Sequence, residues 1–139
     1  MANLIPAIDI SSSGLQAERT RLEVVASNIT NSQTTRGPDG RPYTRKEVIF
    51  SPLVDQAGAS SKLSGVRVSK IVDDPSPGQK VYMPGHPHAD AKGFVTMPNV
   101  NIVDEMVDMM TSTRTYEANL EVIKNARQMV TEALGIAEA

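Results

Sequence analysis

From Asn101 to Leu134 the chain runs without a Gly or a Pro, and through that stretch it keeps one apolar spacing. Ile102, Met109, Tyr116, Ile123 and Val130 fall seven residues apart, and Met106, Thr113, Leu120, Arg127 and Leu134 each follow a member of that series by four. Alternating steps of four and three are the pattern of a coiled-coil seam, so the stretch reads as one long amphipathic helix. Pro98 precedes it, Asn101 is placed to cap its first turn, and Asp104, Glu105 and Asp108 put negative charge at the positive end of its dipole. Gly135 reads as the stop. At about 1.5 Å per residue such a helix is roughly 50 Å long, more than a compact domain of this size needs. It calls for partners along its length.

A second amphipathic segment occupies residues 4–31, with Ile8, Leu15, Leu22 and Ile29 seven apart and Leu4, Ser11, Glu18 and Val25 at the alternate positions. Helix propensity is poor between Ser11 and Gly14, so the first dozen residues are expected to order only against a packing surface. The run from Ala26 to Thr35 is short, polar and β-branched, which ends the helix either as an ordinary cap or as a docking surface.

Between Arg36 and Pro98 the character changes, since eight of the nine prolines and seven of the nine glycines fall there. They separate β-type runs at Lys46 to Phe50, Val66 to Val72, Lys80 to Met83 and Gly93 to Met97, while 51–64, rich in Ser, Ala and Gly, reads as a mobile loop. Four of the five Phe and Tyr residues also lie in this region, so a dense core is expected within it.

The expected class is therefore α+β: two long terminal helices forming an antiparallel, coiled-coil-like bundle, with a small β-rich module between them. The boundaries are 1–35 for the N-terminal arm, 36–98 for the module and 99–139 for the C-terminal arm. Two arms of this size bury too little to stand alone, so neighbouring subunits are expected to complete them.

The composition narrows the function. With 14 basic and 16 acidic residues the net charge is -2, no Lys/Arg block occurs, and neither nucleic acid nor an anionic membrane surface is an expected partner. There is no Cys, hence no disulfide, thiol catalysis or zinc-thiolate site. No run approaches a transmembrane span, and the N-terminus lacks the pattern of a cleaved secretory signal, which alone would suggest the cytoplasm. Gly85-His86-Pro87-His88-Ala89-Asp90 contains metal-ligand residue types but stands in a turn with no further ligand set nearby, so no metal, cofactor or small-molecule substrate is expected. Phosphate loops, nucleophile elbows and dinucleotide fingerprints are absent from the sequence, which points away from an enzyme. Met106, Met109, Met110 and Met129 read as core packing before a promiscuous binding face. Arg127 on the seam line either sets register or contacts another chain.

Gly14-Leu15-Gln16-Ala17 leading into Ala26-Ser27-Asn28-Ile29-Thr30-Asn31, with Arg114-Thr115-Tyr116-Glu117-Ala118-Asn119 in the second arm, resembles the paired terminal signatures of bacterial flagellar axial proteins. Asp39-Gly40-Arg41-Pro42-Tyr43-Thr44-Arg45-Lys46, Asp74-Pro75-Ser76-Pro77, Tyr82-Met83-Pro84-Gly85-His86-Pro87 and Met97-Pro98-Asn99-Val100-Asn101 are similar to their proximal rod family. Thr30 and His88 depart from that pattern, where Ala and Asp are usual. The resemblance implies a structural, non-enzymatic subunit of the rod that spans the periplasm and transmits motor torque. Its partners would be other rod subunits, like and unlike, the adjoining base, and the flagellar type III export apparatus, which uses no cleaved signal. A coiled-coil adaptor is the alternative. Leu15, Leu22, Val25, Ile29, Met109, Tyr116, Leu120, Ile123 and Val130 are expected to pack the arms, and Asn28, Asn31 and Asn119 to hydrogen-bond between subunits.

Overall fold

The computed structural model describes residues 6–55 and 62–137, ordered as α1 (Pro6–Thr30), β1 (Lys46–Asp55), β2 (Lys62–Asp73), β3 (Lys80–Tyr82), β4 (Phe94–Thr96) and α2 (Ile102–Ala137). Leu4 lies outside the described residues. Pro6 suits the first turn of α1, where its missing N–H has no helical partner to lose. The weak Ser11 to Gly14 stretch is helical because tertiary contacts hold it. Ser11 is buried, and Ser13 Oγ donates to the Ile10 carbonyl while accepting the Val66 N–H of β2 at 3.0 Å. At its other end α1 closes as an ordinary cap: the backbone and side-chain N–H groups of Asn31 both donate to the Ser27 carbonyl.

α2 begins as expected, with Asn101 Oδ1 accepting the Val103 N–H at 3.1 Å. It does not stop at Gly135 but continues to Ala137. Nothing lies within 4 Å of a Cβ built there, so glycine's flexibility costs only about 1 kcal/mol at an exposed helix end and no competing contact ends the helix.

The two helices lie antiparallel. Asn28 reaches Glu105, Arg21 reaches Asp108, and Gly14 packs against Asn119, so positions falling along α1 rise along α2. The face of α2 turned inward is not the one the spacing suggested. Met109, Tyr116, Ile123 and Val130 are half-buried, and the row beside them is Glu105, Ser112, Asn119 and Ala126. Met106, Thr113, Leu120, Arg127 and Leu134 are exposed instead. The alternate step is three residues and not four, because small and polar residues let the backbones approach where Met and Leu would hold them apart.

The β-rich module between the helices consists of two separate two-stranded antiparallel sheets, β1–β2 and β3–β4, and the expected dense aromatic core is not formed by Tyr82 and Phe94. β1 pairs with β2 from Lys46↔Asp73 to Asp55↔Lys62, and two bulges, which leave Ser69 and Ser64 without counterparts, account for the greater length of β2. Much of 51–64 is therefore strand and not mobile loop; only 56–61 lies outside the described residues. This hairpin packs on α1, which thus stands between it and α2. Gly65, at φ +146, allows the approach, since a Cβ there would sit 2.3 Å from Ser13 Oγ. Tyr82 and Phe94 stack edge to face at 5.3 Å but remain 63% and 38% exposed. The described buried apolar residues are few: Ala17, Val24 and Val25 of α1, Val95 of β4, Pro98, and Ala126 of α2.

Candidate assembly interface

Two features of the helix pair bear on function: a buried polar knot that sets the β insertion on the helices, and an apolar surface that the helices leave uncovered.

The knot is centred on Asn28 in the last turns of α1, fully buried. Its amide nitrogen donates to the Lys46 carbonyl and to Glu105 Oε2, each at 2.9 Å, and its oxygen accepts the Lys46 N–H at 3.0 Å and the Tyr43 hydroxyl at 2.9 Å. Every hydrogen-bonding position of the side chain is used inside the chain. Asn28 thus joins α1, the start of β1 and α2. Glu105, also fully buried, takes the Arg45 Nε–H on its other oxygen. Arg45 further pairs with Glu47, Asp74 and Asp108. Partial burial works against the Arg45 charge, but hydrogen bonds to Glu105 and Glu47 outweigh it and hold the guanidinium above its usual range. Asn99 extends the knot, accepting the Arg45 N–H at 2.7 Å and donating to the carbonyls of Asp74 and Ser76. Of these residues sequence reasoning singled out only Asn28 as a hydrogen-bonding contact, and read Glu105 and Asp108 only as charges at the start of α2; the signal for the rest was a set of amide and charged residues flanking each helix boundary.

The remaining expected packing residues divide. Val25 is buried, and Leu15, Leu22, Ile29, Met109, Tyr116, Ile123 and Val130 are half-buried. Asn119 bonds its own helix at the Thr115 carbonyl, and Asn31 caps α1. Leu120 turns outward, 39% exposed.

The uncovered surface lies on α2. Val103, Met106, Val107 and Met110, 55% to 67% exposed, form a stripe on the side of the helix opposite the Glu105–Ser112 row. Further along, Val122, Met129 and Ile136, seven apart, are exposed as well. Met106, Met110 and Met129 are thus surface and not core. α2 thus leaves a contiguous group of Val and Met side chains in solvent on the side away from the Glu105–Ser112 row.

The histidine turn has local partners. His86 Nδ1 accepts the His88 N–H, and His88 Nδ1 lies 2.8 Å from Thr35 Oγ1. Among the described residues no group of three or more His, Cys, Asp or Glu is placed to hold a metal ion, and no helix is long and apolar enough to cross a membrane.

Known proteins resemble this chain in sequence. Residues 8–38 match the family model described as flagella basal body rod protein, and residues 91–136 match the C-terminal model of the flagellar basal body rod FlgEFG proteins. These matches, one at each helical arm, give the class: a structural subunit of the flagellar basal-body rod, and not an enzyme. A flagellar basal-body rod protein FlgC of Yersinia enterocolitica is 42% identical over 98% of this chain and 99% of its own length. The protein of the same name from Salmonella typhimurium is 42% identical over 97% and 98%, and that of Borreliella burgdorferi 42% over 96% and 97%. The chain belongs to the FlgC family of rod proteins.

Proposed function

We propose that this subunit packs helically with other rod proteins and with the adjoining base, in the part of the rod that spans the periplasm, and there carries motor torque. The observation that supports this is the Val103–Met110 stripe. It is apolar, continuous over two helical turns and turned away from the chain's own core. In the assembled rod the row of Met106, Leu120 and Leu134 gains neighbours, and coiled-coil packing belongs to that state rather than to the lone chain. The small buried core fits passage through the flagellar type III export apparatus, because little has to be unfolded before the arms are covered by earlier subunits.

Replacing Met106 and Met110 together by Asp tests the reading. Both side chains are solvent-exposed, so helicity and melting temperature should stay within a few degrees of the parent. Swimming and recovery of the chain in isolated basal bodies should be lost. Normal motility of this variant would overturn the proposal.

A further inference from the structure

Between α1, the β1–β2 hairpin and α2 lies a groove of about 570 Å³, walled by Ile10, Ala17, Phe50, Pro52 and Val66. Glu18 also borders it, and the Oε2 of that carboxylate is buried without a hydrogen-bond partner. A buried, unpaired carboxylate oxygen costs stability unless a donor arrives. On the surface of α2 stands a ridge of complementary chemistry, Leu120–Arg127–Leu134, seven residues apart and exposed throughout. Among the described residues the Arg127 guanidinium makes no ion pair or hydrogen bond.

Resting on the rod reading above, we propose that the ridge of one copy docks in the groove of a second copy, with Arg127 on the Glu18 carboxylate and a flanking leucine against the apolar wall. Ridge spacing fits the groove: neighbouring ridge residues are about 10 Å apart along the helix, close to the two turns from Ile10 to Glu18. The contact cannot form within one chain. On the observed register Glu18 is level with Thr115, so Arg127 lies about 18 Å further along α2. Thr115 and Asn119 border the groove on one flank of the inward face of α2, while the ridge stands on the other flank. Ridge and groove are therefore different patches. A contact between them is heterologous, leaves a free ridge and a free groove at either end, and propagates in one direction as a helical array does.

The absence of Cys from the natural chain gives a direct test. Chains carrying Glu18→Cys and Arg127→Cys are co-expressed, and isolated basal bodies are oxidised. The expected result is a disulfide-linked dimer, and none when Arg127→Cys is replaced by Arg114→Cys, which lies on another face of α2. Glu18→Arg and Arg127→Glu should each weaken the contact about tenfold, the size of one charge-assisted hydrogen bond, and impair swimming, and the two combined should restore it. Basal bodies that contain both chains yet show no dimer, show equal dimer with the Arg114 variant, or link Glu18→Cys to a different rod protein would overturn the ridge-in-groove contact and leave the rod reading standing. Absence of the parent chain from basal bodies would strike the rod reading itself.

Discussion

Asn28 is fully buried and makes four hydrogen bonds within the chain. Replacing it by Ala strands the Lys46 N–H and carbonyl, the Tyr43 hydroxyl and one oxygen of Glu105 in a buried site. The expected cost is about 3 kcal/mol, read as a lower urea midpoint. Asn28→Asp should be worse at neutral pH, where it sets a second carboxylate beside Glu105. Two carboxylates, the exposed Asp90 and the half-buried Asp74, respond to acid. Asp90 is held below the usual carboxylate range by the N–H groups of Phe94 and Lys92, and Asp74 by Ser76 and more weakly by Arg45. A depressed native pKa means that the folded state binds fewer protons than the unfolded chain. Its contribution is complete above the ordinary carboxylate value near 4 and disappears as pH falls through the lower native one. Stability at these turns should be flat around neutrality and fall only below about pH 4, and Asp90→Asn should flatten that acid limb in a series of urea midpoints.

Among the elements, the hairpin and the helix pair respond to glycine in opposite ways. A Cβ at Gly65 meets Ser13 Oγ at 2.3 Å in a backbone conformation that other residues rarely adopt. Gly65→Ala should cost about 2 kcal/mol and lift the hairpin from α1, seen as faster amide exchange at Val66 without loss of helix. At Gly14 a Cβ meets only the end of the Asn119 side chain, at 3.1 Å, which can move. There the gain in helix propensity of about 1 kcal/mol should outweigh the crowding, so Gly14→Ala stabilises by a few tenths of a kcal/mol or more in the same urea assay. The element-scale error in the sequence reading has the same root. Heptad spacing found Met109, Tyr116, Ile123 and Val130, but the companion row was decided by close approach, and Ser112, Asn119 and Ala126 permit an approach that Leu120 and Arg127 do not.

For the molecule as a whole, a helix pair with so few buried apolar residues and so much Val and Met outside should be stabilised by its neighbours rather than by its own core. Burying Val103, Met106, Val107 and Met110 in the rod should add several kcal/mol at about 25 cal/mol per Å². The assembled subunit should therefore resist protease under conditions that digest the free chain, and equal digestion of the two would contradict this. The division into arm, insertion and arm was legible because Gly and Pro cluster between two long runs that nearly lack them. That the insertion forms two small sheets was not legible, because it depends on which strand meets α1 and on the Arg45, Glu105 and Asn99 bonds that fix its seat.

By itself the sequence determined the two helices, a part of each strand and the family, since helical periodicity, β-branched runs and turn residues are local and each segment carries its own. Only the tertiary structure decided which apolar face each helix spends on its own chain. A polypeptide built to assemble carries more apolar faces than it can cover alone. Periodicity marks all of them alike, and the choice falls to small residues that admit close packing and to buried polar groups that bond in one arrangement.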